Sequence, residues 1–217
     1  GHTCVILDNG SGMCWGLNND GSLGDGTYND RNEPTPITVL PENRSLVALA
    51  LGPRHTCGIL DDGLVSCWGG NNDYGVFGDG STNNSTYPRT AQLPAGRTAI
   101  SISAGLGHTC AILDNSSGMY WGWNEFGQLG DGTTNNSTAP IFVSMPHGAG
   151  LAEISAGMRH TCGVAINGSV YCWGAHGEGA LGLGPGVDSD VPAYVDLGTG
   201  RHALLGERDN DGDGIVN

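Results

Sequence analysis

Short apolar runs alternate along the chain with polar, glycine-rich turns. In the clearest stretch, residues 55–69, two such runs flank the polar Asp61, Asp62 and Gly63, and Cys57 and Cys67 lie near the outer ends. The pattern predicts a β-hairpin with a loop of about three residues centred on Asp62. That centring sets Gly58 opposite Ser66, Ile59 opposite Val65 and Cys57 opposite Cys67. Directly opposed residues on antiparallel strands lie close enough for a disulfide, so the hairpin is expected to be stapled across its open end.

The stretch recurs. His-Thr-Cys begins at His2, His55, His108 and His160, in steps of 53, 53 and 52 residues. Trp-Gly follows at Trp15, Trp68, Trp121 and Trp173 with the same steps, so the hairpin between the two markers keeps one length. Each copy continues into a polar turn and a Gly-Asp-Gly turn at Asp25, Asp79 and Asp131, which has decayed in the fourth copy to Leu181-Gly182-Leu183-Gly184. An Asn/Thr-rich loop and a Pro come next. Third strands are expected at residues 37–40, 90–93, 141–144 and 193–196, and fourth strands at 46–50, 99–103 and 151–155. Pro and Gly interrupt every stretch long enough for a helical period. Four short strands per repeat of about 52 residues read as an all-β chain of β-propeller blades. A lone blade exposes both faces and needs neighbours to cover them.

The succession Gly-x-x-His-Thr-Cys-(Ala/Gly)-Ile-Leu, Trp-Gly-x-Asn, Gly-Gln-Leu-Gly-Asp-Gly-Thr and Pro, clearest from Gly105 to Thr133, closely resembles the regulator of chromosome condensation repeat. The resemblance covers residues 1 to about 206 and implies a propeller, usually of about seven blades. Four are expected here, at about 1–51, 52–104, 105–156 and 157–206. A truncated ring, a smaller closed ring, and blades completed by another chain all fit. The chain is expected to start on a blade's first strand and to place a last strand near residues 203–206, ends that would permit closure by strand exchange.

Seven cysteines make three pairs ten residues apart, Cys4–Cys14, Cys57–Cys67 and Cys162–Cys172. Cys110 is left over, because Tyr120 occupies its partner's position. Pairing within a blade fits this count. Thiols at a repeated apolar position, or a metal site, are the alternatives, although no Cys-x-x-Cys is present to favour zinc. Three disulfides imply an oxidising compartment, hence an extracellular or cell-surface location. Cys110 is expected to be free, buried and inert.

Composition narrows the partners. Only 14% of residues are charged, yet the net charge is −14, and all eight basic residues are Arg. So acidic a surface argues against nucleic acid or an anionic membrane. No stretch approaches the roughly 20 apolar residues of a membrane helix. Glycine is abundant without a period of three, which excludes collagen. No initiator Met or signal peptide is evident, so the chain reads as a mature or truncated segment of a longer polypeptide.

Candidate chemistry is sparse. The four repeated His residues could ring an axis and bind metal, or each could bond a neighbouring group and set blade packing. Trp123, off the repeat pattern, is a candidate exposed stacking residue for a ligand. Asp25, Asp79 and Asp131 could be catalytic or calcium-binding carboxylates, yet Asp between glycines is ordinary turn chemistry, and a ring of repeats would keep them apart. No Ser-His-Asp elbow and no phosphate loop occurs, so nothing supports an enzyme. Among the Asn-x-Ser/Thr sequons, Asn84 and Asn136 hold matching loop positions and are the leading glycosylation candidates, followed by Asn9, Asn115 and Asn167 at hairpin tips. Residues 207–217 form an acidic linker in which Asp209, Asp211, Asp213 and Gly214 resemble the start of a thrombospondin type 3-like calcium loop, incomplete at Asn217. The expected function is an exported, non-catalytic structural or adhesive module of a cell surface or filament, acting through a protein partner or self-association. A secreted propeller that binds a protein or glycan is the alternative, and a polysaccharide hydrolase or lyase a weaker one.

Overall fold

A computed structural model describes residues 1–38, 40–41, 44–186 and 188–198. Among these, β1 (His2–Ile6), β2 (Gly12–Gly16) and β3 (Arg31–Pro36) form a three-stranded sheet. Three four-stranded sheets follow. One comprises β4 (Leu46–Leu51), β5 (His55–Leu60), β6 (Val65–Gly69) and β7 (Ser85–Thr90). The next comprises β8 (Ala99–Ala104), β9 (His108–Leu113), β10 (Gly118–Gly122) and β11 (Ser137–Phe142). The last comprises β12 (Leu151–Ala156), β13 (His160–Ala165), β14 (Val170–Gly174) and β15 (Ser189–Val195). Neighbours pair antiparallel in chain order, and the described residues contain no α-helix. The sheets are four blades, numbered 1 to 4 here.

The hairpin registers match the sequence pattern. Gly58 faces Ser66, Ile59 faces Val65 and Cys57 faces Cys67. Disulfides join Cys4 to Cys14, Cys57 to Cys67 and Cys162 to Cys172, whereas Cys110 faces Tyr120 and is free and buried.

Blade and sequence repeat are out of phase. The strand at 46–51 opens a blade instead of closing one, because only residues 52–54 separate it from β5, and so short a connection folds back as a hairpin. The innermost strands β4, β8 and β12 touch in succession, and β3, β7, β11 and β15 form the outer edge. The chain therefore starts on what is, in the other blades, a second strand. The outer strands also begin earlier than expected. Residues 31–36, 85–90, 137–142 and 189–195 are extended across Pro34, Pro88, Pro140 and Pro192. In each outer strand the register jumps across that Pro, for example between Cys14↔Thr35 and Gly16↔Arg31. A bulge on an edge strand is where a residue without an N–H is tolerated.

The cores lie between blades. Cys57, Ile59, Val65 and Cys67 of blade 2 join Ala111, Leu113, Met119 and Trp121 of blade 3 in one cluster. Leu60 and Trp68, on the opposite face of blade 2, join Cys14, Leu23 and Ile37 of blade 1. Each central strand is thus buried on both faces, and all six residues of β5 are inaccessible. In β1 burial alternates instead.

Candidate functional site

The repeated His, Thr and Trp meet at the blade junctions. At the junction of blades 1 and 2, His2 Nε2 lies 2.7 Å from Thr56 Oγ1, Thr56 Oγ1 donates to the Ser22 carbonyl at 2.8 Å, and Trp68 Nε1 donates to that same carbonyl at 3.0 Å. The hydroxyl proton is committed to the carbonyl, so the imidazole Nε2–H must donate to Thr56. The next junction repeats the geometry with His55, Thr109, Val76 and Trp121 at 3.2, 2.9 and 2.8 Å. The third uses His108, Thr161, Gln128 and Trp173 at 2.9, 2.8 and 3.0 Å. One carbonyl thus takes two donors from the next blade, and one His reaches forward to close the clasp.

Glycines make room for it. A Cβ on Gly52 or Gly105 would lie 2.7 Å from Nδ1 of His55 or His108, so the Gly-x-x-His spacing lets the backbone lie against the ring. The first Gly of Gly-Asp-Gly is the shelf for the next blade's indole. At Gly24, Gly78 and Gly130 a Cβ would approach Nε1 of Trp68, Trp121 and Trp173 to 2.6, 2.9 and 2.6 Å.

The clasp keeps its imidazoles neutral. Burial, with a smaller contribution from His2, holds His55 down at about 4. Burial first, then His55 and His160, holds His108 at about 3. Both rings leave a buried Nδ1 without a partner, so a second proton there would find no acceptor. His2 is lowered to about 4 by burial and the nearby N-terminal charge. The four His residues are distributed one per blade in these clasps. No group of three or more His, Cys, Asp or Glu among the described residues could hold a metal.

The Asp residues are turn anchors. Asp25 Oδ1 accepts from Thr27 N and Oγ1 at 2.9 and 2.8 Å, and Arg31 Nε lies 2.7 Å from Oδ2. Burial alone would raise this carboxyl, but the bonds from Thr27 and Arg31 outweigh it and hold the group below its usual range. Asp79 and Asp131 bond Ser81 N and Thr133 N at 2.9 and 3.0 Å. Beside these turns lie buried amides that sequence reasoning did not single out, although Trp-Gly-x-Asn carries two of them. Asn18, Asn72 and Asn124 each satisfy the backbone of their loop, Asn124 through Leu129 N and Thr133 O at 2.8 and 3.0 Å.

Trp123 is not an exposed stacking residue. It is 8% exposed, lies between Tyr74 and Phe126 at centroid distances of 5.6 and 5.3 Å, and is capped by Arg159. The aromatic character of its two neighbours supplies the cover that its own off-pattern position did not suggest. All five leading sequon asparagines are exposed. Asn84 and Asn136 use Oδ1 to accept from the backbone of Asn72 and Asn124 at 3.0 and 2.8 Å. Asn9, Asn115 and Asn167 cap hairpin tips through Ser11, Ser117 and Ser169 N. Asp209, Asp211 and Asp213, and the strand expected at 203–206, lie outside the described residues.

Four radially ordered antiparallel sheets with their cores between them define an arc of β-propeller blades. The regulator of chromosome condensation (RCC1) repeat matches residues 13–59, 62–112, 120–164 and 167–204, and the chain belongs to that family. Its sequence is 32% identical over 207 residues to the ultraviolet-B receptor UVR8 of Arabidopsis thaliana, covering 93% of this chain and 46% of the receptor. Human WBSCR16 superposes with a TM-score of 0.81 at 19% identity, over 90% of this chain and 51% of that one. Yeast RCC1 (Prp20), in its structure bound to Kap60, gives 0.79 at 22% identity, over 90% and 46%. The chain thus spans about half the length of these relatives.

Proposed function

We propose that the chain is an exported, non-catalytic propeller module that acts by holding protein, in a structural or adhesive assembly of a cell surface or extracellular filament. One observation carries this reading: three of the four blade hairpins are closed by a cross-strand disulfide. Such staples persist in oxidising compartments and are rare in the cytosol. The repeated polar groups are consumed by clasps and turns, so binding falls to blade faces and variable loops. That a propeller of this family, yeast RCC1, is solved in complex with Kap60 supports protein as the partner class. Glycosylation at Asn84, Asn136, Asn9, Asn115 or Asn167, and calcium held by Asp209, Asp211 and Asp213, belong to the same exported reading.

The test is the thiol state of material isolated from its natural source under alkylating conditions, together with its cellular fraction. One alkylated cysteine, Cys110, in an exported fraction is expected. Seven alkylated cysteines in a cytosolic fraction would overturn the proposal. Peptide mass mapping of the same material reads sequon occupancy, and calorimetric titration with calcium reads the acidic run.

A second reading, a secreted glycan binder, has one observation behind it. An open cleft on blade 4 is lined by His147, Asn167, Tyr171 and Tyr194, with Tyr194 54% exposed and edge-on to Tyr171. Tyr194→Ala abolishing retention on a glycan array would favour it over the structural role.

A further inference from the structure

The clasp that joins successive blades is present as two unmated halves at opposite ends of the arc. Blade 1 carries the inserting half. Thr3 and Trp15 stand at the positions of Thr56 and Trp68, and their side chains make no hydrogen bond among the described residues. Around them β1 and β2 turn an apolar face outward, with Val5 and Leu7 39% and 38% exposed and Met13 and Trp15 partly so. The corresponding face of blade 2, with Thr56, Leu60 and Trp68, is wholly buried against blade 1.

Blade 4 carries the receiving half, complete. His160 takes the place of His2, His55 and His108, and its ring bonds nothing among the described residues. It lies over Gly157, where a Cβ would meet Cε1 at 2.4 Å, just as His55 and His108 lie over Gly52 and Gly105. The Ala180 carbonyl, directly before the buried Leu181, corresponds to those of Ser22, Val76 and Gln128 before Leu23, Phe77 and Leu129. Gly182 keeps the left-handed backbone of the indole shelf, φ 67°, close to the 68°, 70° and 78° of Gly24, Gly78 and Gly130. No indole lies on it; its nearest neighbour is Val195. The shelf survives although the Gly-Asp-Gly sequence around it has decayed. Cys162, Cys172, Leu181 and Val195 line the socket as the equivalent clusters line the three filled junctions.

We propose that blade 1 of one copy docks on blade 4 of a second, with Trp15 on Gly182, Thr3 and Trp15 donating to the Ala180 carbonyl, and His160 donating to Thr3. This names the surface behind the assembly reading above, on which it rests. The junction is heterologous: two copies sharing two junctions close a ring of eight blades, within the range propellers adopt, and one junction per copy propagates a chain. The occupant is a second copy because the two halves match group for group. With a net charge of −14 per chain, docking works against repulsion, so salt should strengthen it.

The experiment uses the whole 217-residue chain and two variants, each blocked at one end, in sedimentation velocity. Trp15→Glu spoils the insert and Gly182→Leu fills the shelf. Wild type is expected to associate with rising concentration and more strongly in high salt. Each variant alone should associate roughly thirtyfold more weakly, the cost of losing a buried Trp anchor. An equimolar mixture of the two should give dimers that grow no further, because each partner keeps one good end. Circular dichroism and melting confirm that both variants are folded, and Trp15→Ala with His160→Ala is the milder pair if either is not. Wild type that stays monomeric, or variants that associate as well alone as wild type, would overturn the junction. Failure here is distinct from failure of the export reading: a monomer with three disulfides sinks only the junction, and a head-to-tail assembly with seven free thiols sinks only export.

Discussion

Thr109→Val isolates what one clasp contributes. Valine keeps the shape of threonine, so the cluster around Cys57 and Trp121 stays filled. Two hydrogen bonds go, at 3.2 Å to His55 and 2.9 Å to the Val76 carbonyl. Val76 retains the Trp121 donor at 2.8 Å and stays satisfied. His55 is 0% exposed and its Nε2–H is orphaned. A net bond is worth about 1 kcal/mol and an orphaned buried donor about 1–3 more, so the loss should be roughly 2–4 kcal/mol. For a domain of this size that lowers Tm by about 4–16 °C. Urea unfolding and calorimetry measure it. Thr3→Val is the internal control: same triplet, same hairpin, no partner among the described residues. In dilute solution it should change stability by less than about 0.5 kcal/mol. Equal losses in the two variants would refute the clasp as the source of the effect. Combining Thr109→Val with His55→Leu should cost less than the sum of the two, since both remove the same bond.

Other consequences can be measured on the same material. His55 and His108 bind protons more weakly when folded, at about 4 and about 3 against 6.5, so their contribution is complete above pH 6.5 and is lost as pH falls toward 4. Within that window each should cost about 1.4 kcal/mol per pH unit, and His55→Leu should flatten the slope of urea stability against pH; a slope unchanged by the substitution would count against it. Tyr120→Cys should remove the single free thiol by pairing with Cys110, yet leave Tm level or lower, because a staple worth about 3 kcal/mol replaces a buried ring whose loss costs about 3–5. A thiol count of two in the unfolded, unreduced variant would contradict the register. Gly130→Ala and Gly182→Ala both meet positive φ, at 78° and 67°, but only the first drives a Cβ to 2.6 Å from an indole, of Trp173. The first should therefore be the costlier by ~2 kcal/mol or more in dilute solution; equal melting curves would dismiss the shelf.

The hairpins were legible because a fixed length between His-Thr-Cys and Trp-Gly leaves one register, and Cys57 opposite Cys67 checks it. Blade phase was less so. Strand 46–51 can pair backward or forward on its apolar pattern alone, and only the short connection at 52–54 decides. Outer strands were placed late because Pro88 and its counterparts read as boundaries, whereas a bulge on an outer edge absorbs a Pro. The clasp itself was half visible. His, Thr and Trp recur at identical steps, but Thr109 and His55 stand 54 residues apart, and their meeting depends on how blades stack. The Val76 carbonyl left no trace in residue type, because a main-chain acceptor does not depend on the side chain above it. Trp123 misled because its cover, Tyr74 and Phe126, is equally off the repeat pattern.

The odd blade gives the sharpest test of how the arc is held. In blade 2 the Cys57–Cys67 staple lies in the junction with blade 3, among Val76, Phe77 and Trp121. In blade 3 the same slot holds Cys110 and Tyr120, whose ring meets Trp173 edge-on at 5.5 Å. Staple and aromatic are two solutions to one gap, and only one responds to reductant. Repeat arrays lose structure locally, since each unit depends on its neighbours alone. Burial pushes the Cys110 thiol up to about 12, so it stays protonated and unreactive while the other hairpins open. Under dithiothreitol, hydrogen exchange should therefore rise in β1, β2, β5, β6, β13 and β14 before β9 and β10. A uniform rise across all four hairpins would show that the disulfides hold the arc as one cooperative unit, and that the Tyr120 junction has no stability of its own.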